Sequence, residues 1–452
     1  MADNEKPASR LPEARYYLIS AIMGALTGLA GTLFHLGVDG LQHWPEWVAS
    51  LFSGAPRLVL TVTVAIFMVV YSLYLVRRHA PEAGGSGVQE IEGALAGLRP
   101  LRWARVLAVK FVAGILALSS GLVLGREGPT IHIGAAIAGG VAQYTKLDAL
   151  ERRGLLAAGA AAGLAAAFNA PLAAILFIIE ETRQHFPYTL RTYMAVIIAT
   201  CASTIVTQNI AGLGAVLVIP AAETPLWMLP GFLLLGMTLG GFGVVFNFLL
   251  LRSLDGAAWV SDRIPYLLPA IVAAAAGWCL VHLPEMTGGN EKLILALVHG
   301  GLPVSALIGL VGLRLVATLF SYSTGVPGGI FAPILTLATC VGLVFGVAIN
   351  AVLPGAETAP AAFAIAAMGG LFAASVRAPI VATVLALELT GSYGLMLPVL
   401  LTCATANLIA QWLRGEPVYE LLLARTLRRA GIAVPAAPER TPLEPGQERL
   451  DG

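Results

Sequence analysis

Eleven long apolar stretches dominate the sequence and restrict the chain to a fold that lies within a lipid bilayer. They cover residues 17–36, 57–75, 106–124, 155–179, 194–210, 227–251, 266–280, 304–320, 330–352, 361–372 and 380–413. A helix needs about 20 apolar residues to cross a bilayer, and several stretches have the wrong length for one crossing. Charged residues make up only 12% of the chain, about half the fraction in soluble domains. We therefore predict an all-α polytopic membrane protein.

The polar parts of the chain lie at its two ends. Residues 1–16 form a polar N-terminal segment, and residues 431–452 are rich in Pro and Glu, which is typical of a disordered tail. Between them we predict one membrane domain over residues 17–430, with the first apolar stretch retained as a span and no separate regulatory domain. The net charge of +1 gives no indication of nucleic-acid binding. The four cysteines show no CxxC spacing, so we expect no disulfide, metal site or cofactor.

Three motifs recur at similar distances along the chain. "GREGP" (125–129) returns as "GIFAP" 204 residues later, "APLAAILFIIEET" (170–182) as "APIVATVLALELT" 208 residues later, and, more weakly, "GVQEIEGAL" (87–95) as "GNEKLILAL" 202 residues later. The agreement in spacing and order predicts two homologous halves, about residues 17–215 and 225–430. Gly- and Pro-interrupted apolar segments at matching positions are typical of inverted-topology repeats with broken and re-entrant helices. In such folds the substrate site lies near the midplane.

The glycine-rich motifs are typical of helix starts that bind an anion. A helix N-terminus carries unpaired N–H groups and a partial positive charge. "GSGVQ" (85–89), "GREGP" and "GIFAP" (329–333) each place glycines just before an apolar helix, and Pro129 suits a first helical turn. Each motif alone is also compatible with a tight turn. Three such starts aimed at one point would bind a small anion without a full positive charge.

Glu127, within "GREGP", carries an acidic group into an apolar region, where ionisable residues are rare and functional. An ionised carboxylate at an anion site occupies the position of the anion, whereas a protonated one loses its attraction to the helix dipoles and swings away. One residue would then serve as gate and proton carrier. An ion pair between Arg126 and Glu127 at a helix end is the alternative.

With these motifs, the sequence closely resembles the CLC family of chloride channels and chloride/proton antiporters. The resemblance covers roughly residues 17–430 and includes the three glycine-rich motifs, "NAPLAAILFIIEE" (169–181) and "PVYELLLARTL" (417–427). It implies an all-helical inverted repeat that works as a homodimer with one pathway per subunit. It also implies a prokaryotic type without cytoplasmic regulatory domains, which we expect as a multi-pass protein of the bacterial inner membrane.

The resemblance also implies the functional residues. The implied anion-binding residues are Ser86, Gly128, Ile330, Phe331 and Tyr419, with chloride as the bound substrate. Glu127 becomes the external gating glutamate. Glu181 matches the internal proton-transfer glutamate of antiporter members, where channel members usually carry a neutral residue.

One position departs from the family pattern. Gln89 replaces the proline that usually ends the first motif. Proline would rigidify this helix start, so Gln89 is expected either to loosen the anion site or to add a polar group near it, with a consequence for selectivity among chloride, other halides and nitrate. Ser86 itself matches chloride-preferring members, whereas nitrate-preferring relatives tend to carry proline there.

The presence of both Glu127 and Glu181 favours exchange of chloride for protons, and a passive chloride channel on the same fold is the alternative. A third hypothesis makes the chain an enzyme, because "GGSG" (84–87) fits the GxSG pattern of intramembrane serine proteases with Ser86 as nucleophile. That reaction needs a histidine base, and His132, the one nearby in sequence, has no supporting motif. We therefore predict a non-enzyme whose partners are chloride, protons and the lipid bilayer.

Four further polar residues have less specific predictions. Glu180 either assists proton entry or faces water at a helix end. Lys110 is predicted to pair with Glu92 rather than to raise the local potential for anions. Glu388, at the repeat position of Glu180, is expected to accept from buried backbone donors. We expect His132 to be a core histidine with satisfied hydrogen bonds rather than a proton relay.

Overall fold

The computed structural model describes residues 12–145, 147–182, 189–212, 217, 219, 224–289, 291–299, 303–352 and 359–433. These ranges are helical and contain no β-strand. The helices are α1 Glu13–Leu41, α2 Trp44–Leu51, α3 Gly54–His79, α4 Val88–Leu95, α5 Trp103–Ser119, α6 Glu127–Tyr144, α7 Ala149–Phe168, α8 Pro171–Thr182, α9 Leu190–Ala211, α10 Leu229–Ser261, α11 Leu267–His282, α12 Glu291–His299, α13 Val304–Ser323, α14 Phe331–Val352, α15 Ala359–Val376, α16 Pro379–Thr390, α17 Met396–Trp412 and α18 Val418–Arg429.

The described helices confirm a multi-pass membrane protein. Seven helical segments are long and apolar enough to cross a membrane: Glu13–Leu51, Gly54–His79, Leu190–Ala211, Leu226–Ser261, Val304–Ser323, Phe331–Val352 and Tyr393–Trp412. Shorter helices such as α4 and α8 fall well below the length of a complete crossing. The mixture of long and short helices is the predicted pattern of broken and re-entrant segments.

The ends of three predicted stretches differ from the structure for local reasons. The first helix begins at Glu13 rather than at residue 17, because Pro12 precedes it and an acidic residue suits a first turn. The stretch 106–124 leaves the helix at Ser119, shortly before Gly121, whose φ is +90°. The stretch 380–413 divides into α16 and α17 because Gly391, with φ of +69°, ends α16 in the left-handed region.

The order of the helices confirms the predicted repeat. Helices α1 and α3–α9 of the first half correspond one by one to α10–α17 of the second, with α2 and α18 outside the pattern. The three repeated motifs fall on the pairs α4 and α12, α6 and α14, and α8 and α16. The predicted boundary near residue 215 lies outside the described residues, as do residues 1–11 and 434–452 of the two ends. The limits of the domain and of its halves stay predictions.

Two glutamates related by the repeat join the halves. The Glu388 carboxylate near the end of α16 accepts from the main-chain N–H groups of Leu172 (3.1 Å) and Ala173 (2.8 Å) at the start of α8. Glu180, near the end of α8, accepts from the N–H of Val381 (3.0 Å) at the start of α16. Each carboxylate therefore caps the other helix, which requires α8 and α16 to run antiparallel. The prediction for Glu388 is confirmed, and Glu180 has the same role.

The helices around the centre pack closely. A Cβ on Gly134 of α6 would lie 2.9 Å from the Thr27 side chain and 3.0 Å from the main-chain carbon of Gly159 in α7. Only a residue without a side chain allows α6 to approach both neighbours in this way. This packing fixes α6, and with it the position of its N-terminus in the middle of the molecule.

Candidate anion-binding site

Main-chain hydrogen bonds join the loops that precede three of the helices. Gly125 donates to the oxygen of Gly329 (2.8 Å) and Gly329 donates back to that of Gly125 (2.7 Å). Gly85 donates to Val326 (3.1 Å) and Gly328 donates to Gly85 (3.1 Å). The "GSGVQ", "GREGP" and "GIFAP" loops are thus held against one another across the two halves of the chain.

Glycines allow the starts of α4, α6 and α14 to touch. A Cβ on Gly128 would lie 2.9 Å from the Cα and main-chain oxygen of Ser86. A Cβ on Gly329 would lie 2.9 Å from the nitrogen of Gly128. Real Cβ atoms do not approach other atoms so closely, so these positions require glycine. The structure therefore confirms that the three glycine-led helix starts meet at one place.

Each of these helices begins with main-chain N–H groups that precede its first intrahelical bond. Those first bonds run from Glu90 to Gly87 in α4 (3.1 Å), from Thr130 to Arg126 in α6 (3.1 Å), and from Ile334 to Ile330 in α14 (2.9 Å). The donors ahead of them, together with the partial positive charge of each helix start, favour a negative ligand.

Two buried hydroxyls lie at the same place. Ser86 and Tyr419 are both 0% exposed, and neither hydroxyl has a hydrogen-bond partner among the described residues. The Tyr419 ring packs on Phe331 at the start of α14, with ring centroids 6.3 Å apart. A buried hydroxyl without a partner costs about 1–3 kcal/mol, and a ligand that accepts hydrogen bonds removes this cost. Ile330 and Phe331 are also fully buried.

The Glu127 carboxylate lies beside this cluster of helix starts. The residue is 0% exposed. A Cβ on Gly125 would lie 3.1 Å from the carboxylate carbon of Glu127 and 3.2 Å from the main-chain nitrogen of Ala332, the second residue of α14. The acidic group therefore folds back over its own loop toward the start of α14. A cavity of about 740 Å³, lined also by Gly125 and Ala332, reaches Glu127.

Glu181 lies in a second acidic group. It is partly exposed, and its carboxylate interacts electrostatically with those of Glu92 and Glu420. The Tyr419 hydroxyl interacts electrostatically with Glu181, Glu92 and Glu127, so both glutamates singled out from the sequence lie in its neighbourhood. Sequence reasoning missed Glu92 and Glu420 as neighbours of Glu181. The signals were present, because Glu92 belongs to a repeated motif and Glu420 follows Tyr419 directly.

The prediction for Lys110 is wrong. Its ammonium group is fully buried and donates to the main-chain oxygens of Ala83 (3.0 Å) and Gly85 (2.7 Å), and no ion pair to Glu92 occurs among the described residues. Lysine is a compact donor with three N–H bonds, and here it holds the loop that carries Ser86.

His132 is buried as predicted, but its hydrogen bonds are not satisfied. Both ring nitrogens lack a partner within the described part of the chain, and the ring packs against Gly87, where a Cβ would lie 2.8 Å from that of His132. Because the Ser86 hydroxyl has no partner among the same residues, it lacks the hydrogen bond to a base that a serine nucleophile needs.

Gln89 lies in the first turn of α4 and is 7% exposed. Its amide nitrogen lies 3.6 Å from the position of a Cβ on Gly85, so the side chain folds back over the loop.

No group of three or more His, Cys, Asp or Glu side chains able to hold a metal ion occurs in the ranges that the structure describes.

Known proteins similar to this chain share both its sequence and its fold. A family profile described as voltage gated chloride channel matches residues 68–411. An H(+)/Cl(-) exchange transporter ClcA of Vibrio parahaemolyticus is 44% identical over 432 residues, which cover 93% of this chain and 92% of the relative. The ClcA of Klebsiella pneumoniae is 41% identical over 443 residues, covering 94% and 92%.

The crystal structure of a slow cyanobacterial Cl-/H+ antiporter superposes with a TM-score of 0.88 at 34% sequence identity. The alignment covers 94% of this chain and all of the antiporter. The likeness therefore extends over nearly every helix described above.

Proposed function

The chain belongs to the voltage-gated chloride channel family, the CLC family, and from this premise we propose that it exchanges chloride for protons across the membrane. The relatives reported above are named exchange transporters, and the superposed structure is described as an antiporter. The pair Glu127 and Glu181 fits that activity rather than passive conduction. We accordingly propose a transporter without catalytic chemistry.

One observation carries this proposal: a buried carboxylate lies where three helix starts meet. Glu127 is fully buried and folds toward the first N–H groups of α14. These donors would hold a chloride ion in the same way that they hold an ionised carboxylate. Chloride and Glu127 therefore compete for one position, and protonation of Glu127 leaves that position to chloride.

We propose that Ser86, Gly128, Ile330, Phe331 and Tyr419 form the chloride site. The two hydroxyls donate to the ion, and the main-chain N–H groups at the starts of α6 and α14 complete its coordination. No residue of this set brings a full positive charge. This composition suits transport, because a conducting site must bind its ion weakly enough to release it.

Glu181 has the proposed role of receiving protons from the other side. Its partial exposure gives it access to water, and the Tyr419 hydroxyl lies near both glutamates. A proton that reaches Glu127 from Glu181 neutralises the gate, which then moves away from the helix starts. Movement of chloride through the vacated position completes the exchange.

We also propose that the protein forms a homodimer in the lipid bilayer. Light scattering of the detergent-solubilised protein tests this proposal, because it measures the mass of the assembly.

The test uses purified protein in proteoliposomes, with chloride flux and pH recorded together. We expect a pH gradient to drive chloride uptake in the unmodified protein. Glu127→Gln should keep chloride flux and lose proton movement, because the gate no longer titrates. Glu181→Gln should lose proton movement and keep chloride binding. A chloride reversal potential that is indifferent to pH would instead establish a passive channel.

A further inference from the structure

Arg57 lies on the wall of the cavity that reaches Glu127. It is the fourth residue of α3 and lines the cavity together with Arg126 and Glu127. Its Nε atom is buried and lacks a hydrogen-bond partner, and its side chain makes no hydrogen bond or ion pair with any residue that the structure describes. A guanidinium group is always charged and carries five N–H donors. These donors are therefore available to an anion inside the cavity.

The acidic side chains on the same wall interact with other positive groups. They are Asp39, Glu46 and Glu127. Asp39 lies 3.9 Å from Nη1 of Arg126. Glu46 and Glu127 lie in the first turns of α2 and α6, where the helix dipole favours a carboxylate. Arg57 forms an ion pair with none of the three in the described part of the chain, so the wall does not neutralise its charge locally.

The balance of charge on the wall gives Arg57 a large effect on an entering anion. With Glu127 ionised and the histidines neutral, the lining carries these three carboxylates and two guanidinium groups, those of Arg57 and Arg126. Without Arg57, three negative charges would face one positive charge, and the wall would repel chloride. The cavity of about 740 Å³ has room for water. The charge of Arg57 therefore acts on a hydrated ion rather than by tight coordination.

We propose that Arg57 recruits chloride into this cavity, ahead of the central site. This inference rests on the proposed function, because it concerns how chloride arrives at the position that Glu127 occupies. A positive group on the wall of a cleft raises the local concentration of anions. Arg57 acts before the ion reaches the three helix starts. Its charge therefore lowers the chloride KM and leaves the maximal rate unaltered.

A second arginine at the other end of α3 provides a matched control. The helix has 26 residues, and Arg57 and Arg78 lie about 30 Å apart along its axis. Arg78 is exposed and is not among the residues that line the cavity. At about 0.1 M salt the Debye length is about 10 Å, so the charge of Arg78 is screened from the cavity. Arg78→Gln removes the same charge at the opposite end of the span.

The experiment measures the chloride KM of flux into proteoliposomes at pH 7.5, with the ionic strength held at about 0.1 M by an impermeant salt. Arg57→Gln should raise the KM about threefold, the scale of one partly exposed charge pair, with an unchanged maximal rate. Arg57→Lys keeps the charge and should keep the KM, and so should Arg78→Gln. At about 1 M salt the Debye length is about 3 Å, and the effect of Arg57→Gln should disappear.

A charged thiol reagent tests whether the charge alone is responsible. Arg57→Cys should also have the raised KM. A membrane-impermeant methanethiosulfonate that carries a trimethylammonium group should restore the low KM in those molecules whose cavity faces the reagent, and the corresponding sulfonate should raise the KM further. The four native cysteines are not among the residues that line the cavity. The same treatment should therefore leave the KM of the unmodified protein unchanged.

An unchanged KM in Arg57→Gln, or an equal rise in Arg78→Gln, would overturn the inference. Arg57 lies near the end of a membrane span, so an anionic lipid headgroup is the alternative ligand. A KM effect confined to vesicles that contain phosphatidylglycerol, and absent from pure phosphatidylcholine vesicles, would assign Arg57 to the lipid and also overturn the inference. The proposed exchange fails on a separate observation, namely the absence of pH-driven chloride uptake in the unmodified protein. The two failures are therefore distinguishable.

Discussion

Substitution of Gly125 by alanine should displace the gate without removing it. A Cβ at this position would overlap Oε2 of Glu127 and lie 3.1 Å from its carboxylate carbon. Ordinary contacts begin near 3.4 Å, so the carboxylate must move away from Gly125. Gly125 is not among the glycines with positive φ, so alanine fits the backbone. The nitrogen of Ala332, at 3.2 Å, needs to shift by only a few tenths of an ångström.

The magnitude follows from the cost of overpacking. An extra methyl group in a filled site costs about 1–3 kcal/mol. This corresponds to a roughly 5- to 150-fold decrease in the population of the closed gate relative to the open gate, since about 1.4 kcal/mol changes an equilibrium constant tenfold. The carboxylate is the flexible end of a side chain and can avoid the cost by swinging out, whereas the main chain cannot. We therefore expect an intact fold in which the gate stays open for longer.

The assay is chloride efflux from proteoliposomes with simultaneous pH recording. Gly125→Ala should raise chloride flux and lower the number of protons moved per chloride ion. Gly241→Ala is the matched control, because no other atom lies within 4 Å of its added methyl group. It should leave flux and coupling unchanged. Unaltered flux and coupling in Gly125→Ala would show that the carboxylate over Gly125 does not block the path.

Three further changes test the surroundings of the site. Gln89→Pro introduces the residue that the family usually carries and removes a main-chain N–H of α4 that is not among the groups proposed to bind chloride, so chloride affinity in calorimetry should match that of Gln89→Ala; a loss of about tenfold in the proline variant alone would add this donor to the site. Glu388→Gln replaces a charged cap of two N–H groups and should lower stability by about 1–2 kcal/mol in thermal unfolding; an unchanged melting temperature would contradict the capping argument. Lys110→Met leaves two buried carbonyl groups without a hydrogen-bond donor, which costs about 1–3 kcal/mol for each group. We therefore expect lower stability and weaker chloride binding. Normal chloride binding would show that Lys110 does not hold the loop.

The sequence predicted the helix starts because glycine and proline act locally. "GREGP" and "GIFAP" mark a backbone conformation and a helix boundary within five residues, and their spacing identified the repeat. The same spacing predicted the role of Glu388, since a carboxylate in register with Glu180 has the equivalent neighbour in an inverted repeat. These inferences needed no knowledge of side-chain packing.

The partners of single polar side chains could not be predicted in this way. Lys110 donates to main-chain oxygens, and nothing in the residue types around Ala83 and Gly85 shows that their carbonyl groups point at it. His35 meets Arg126 across 91 residues of sequence, on a helix whose composition otherwise reads as an ordinary span. Such contacts depend on how the helices pack, and the sequence pattern does not carry that information.

The reciprocal capping of α8 and α16 has a consequence for synthesis of the protein. The N–H groups of Leu172 and Ala173 donate to the carboxylate of Glu388, which lies 216 and 215 positions later in the chain. At about 5–20 residues per second, the ribosome needs roughly 10–40 s to reach Glu388 after Leu172 has been made. During that interval the first half of the chain has already been synthesised, but the carboxylate that accepts hydrogen bonds from these two N–H groups has not. The start of α8 in the first half can therefore be capped only after α16 of the second half has been synthesised.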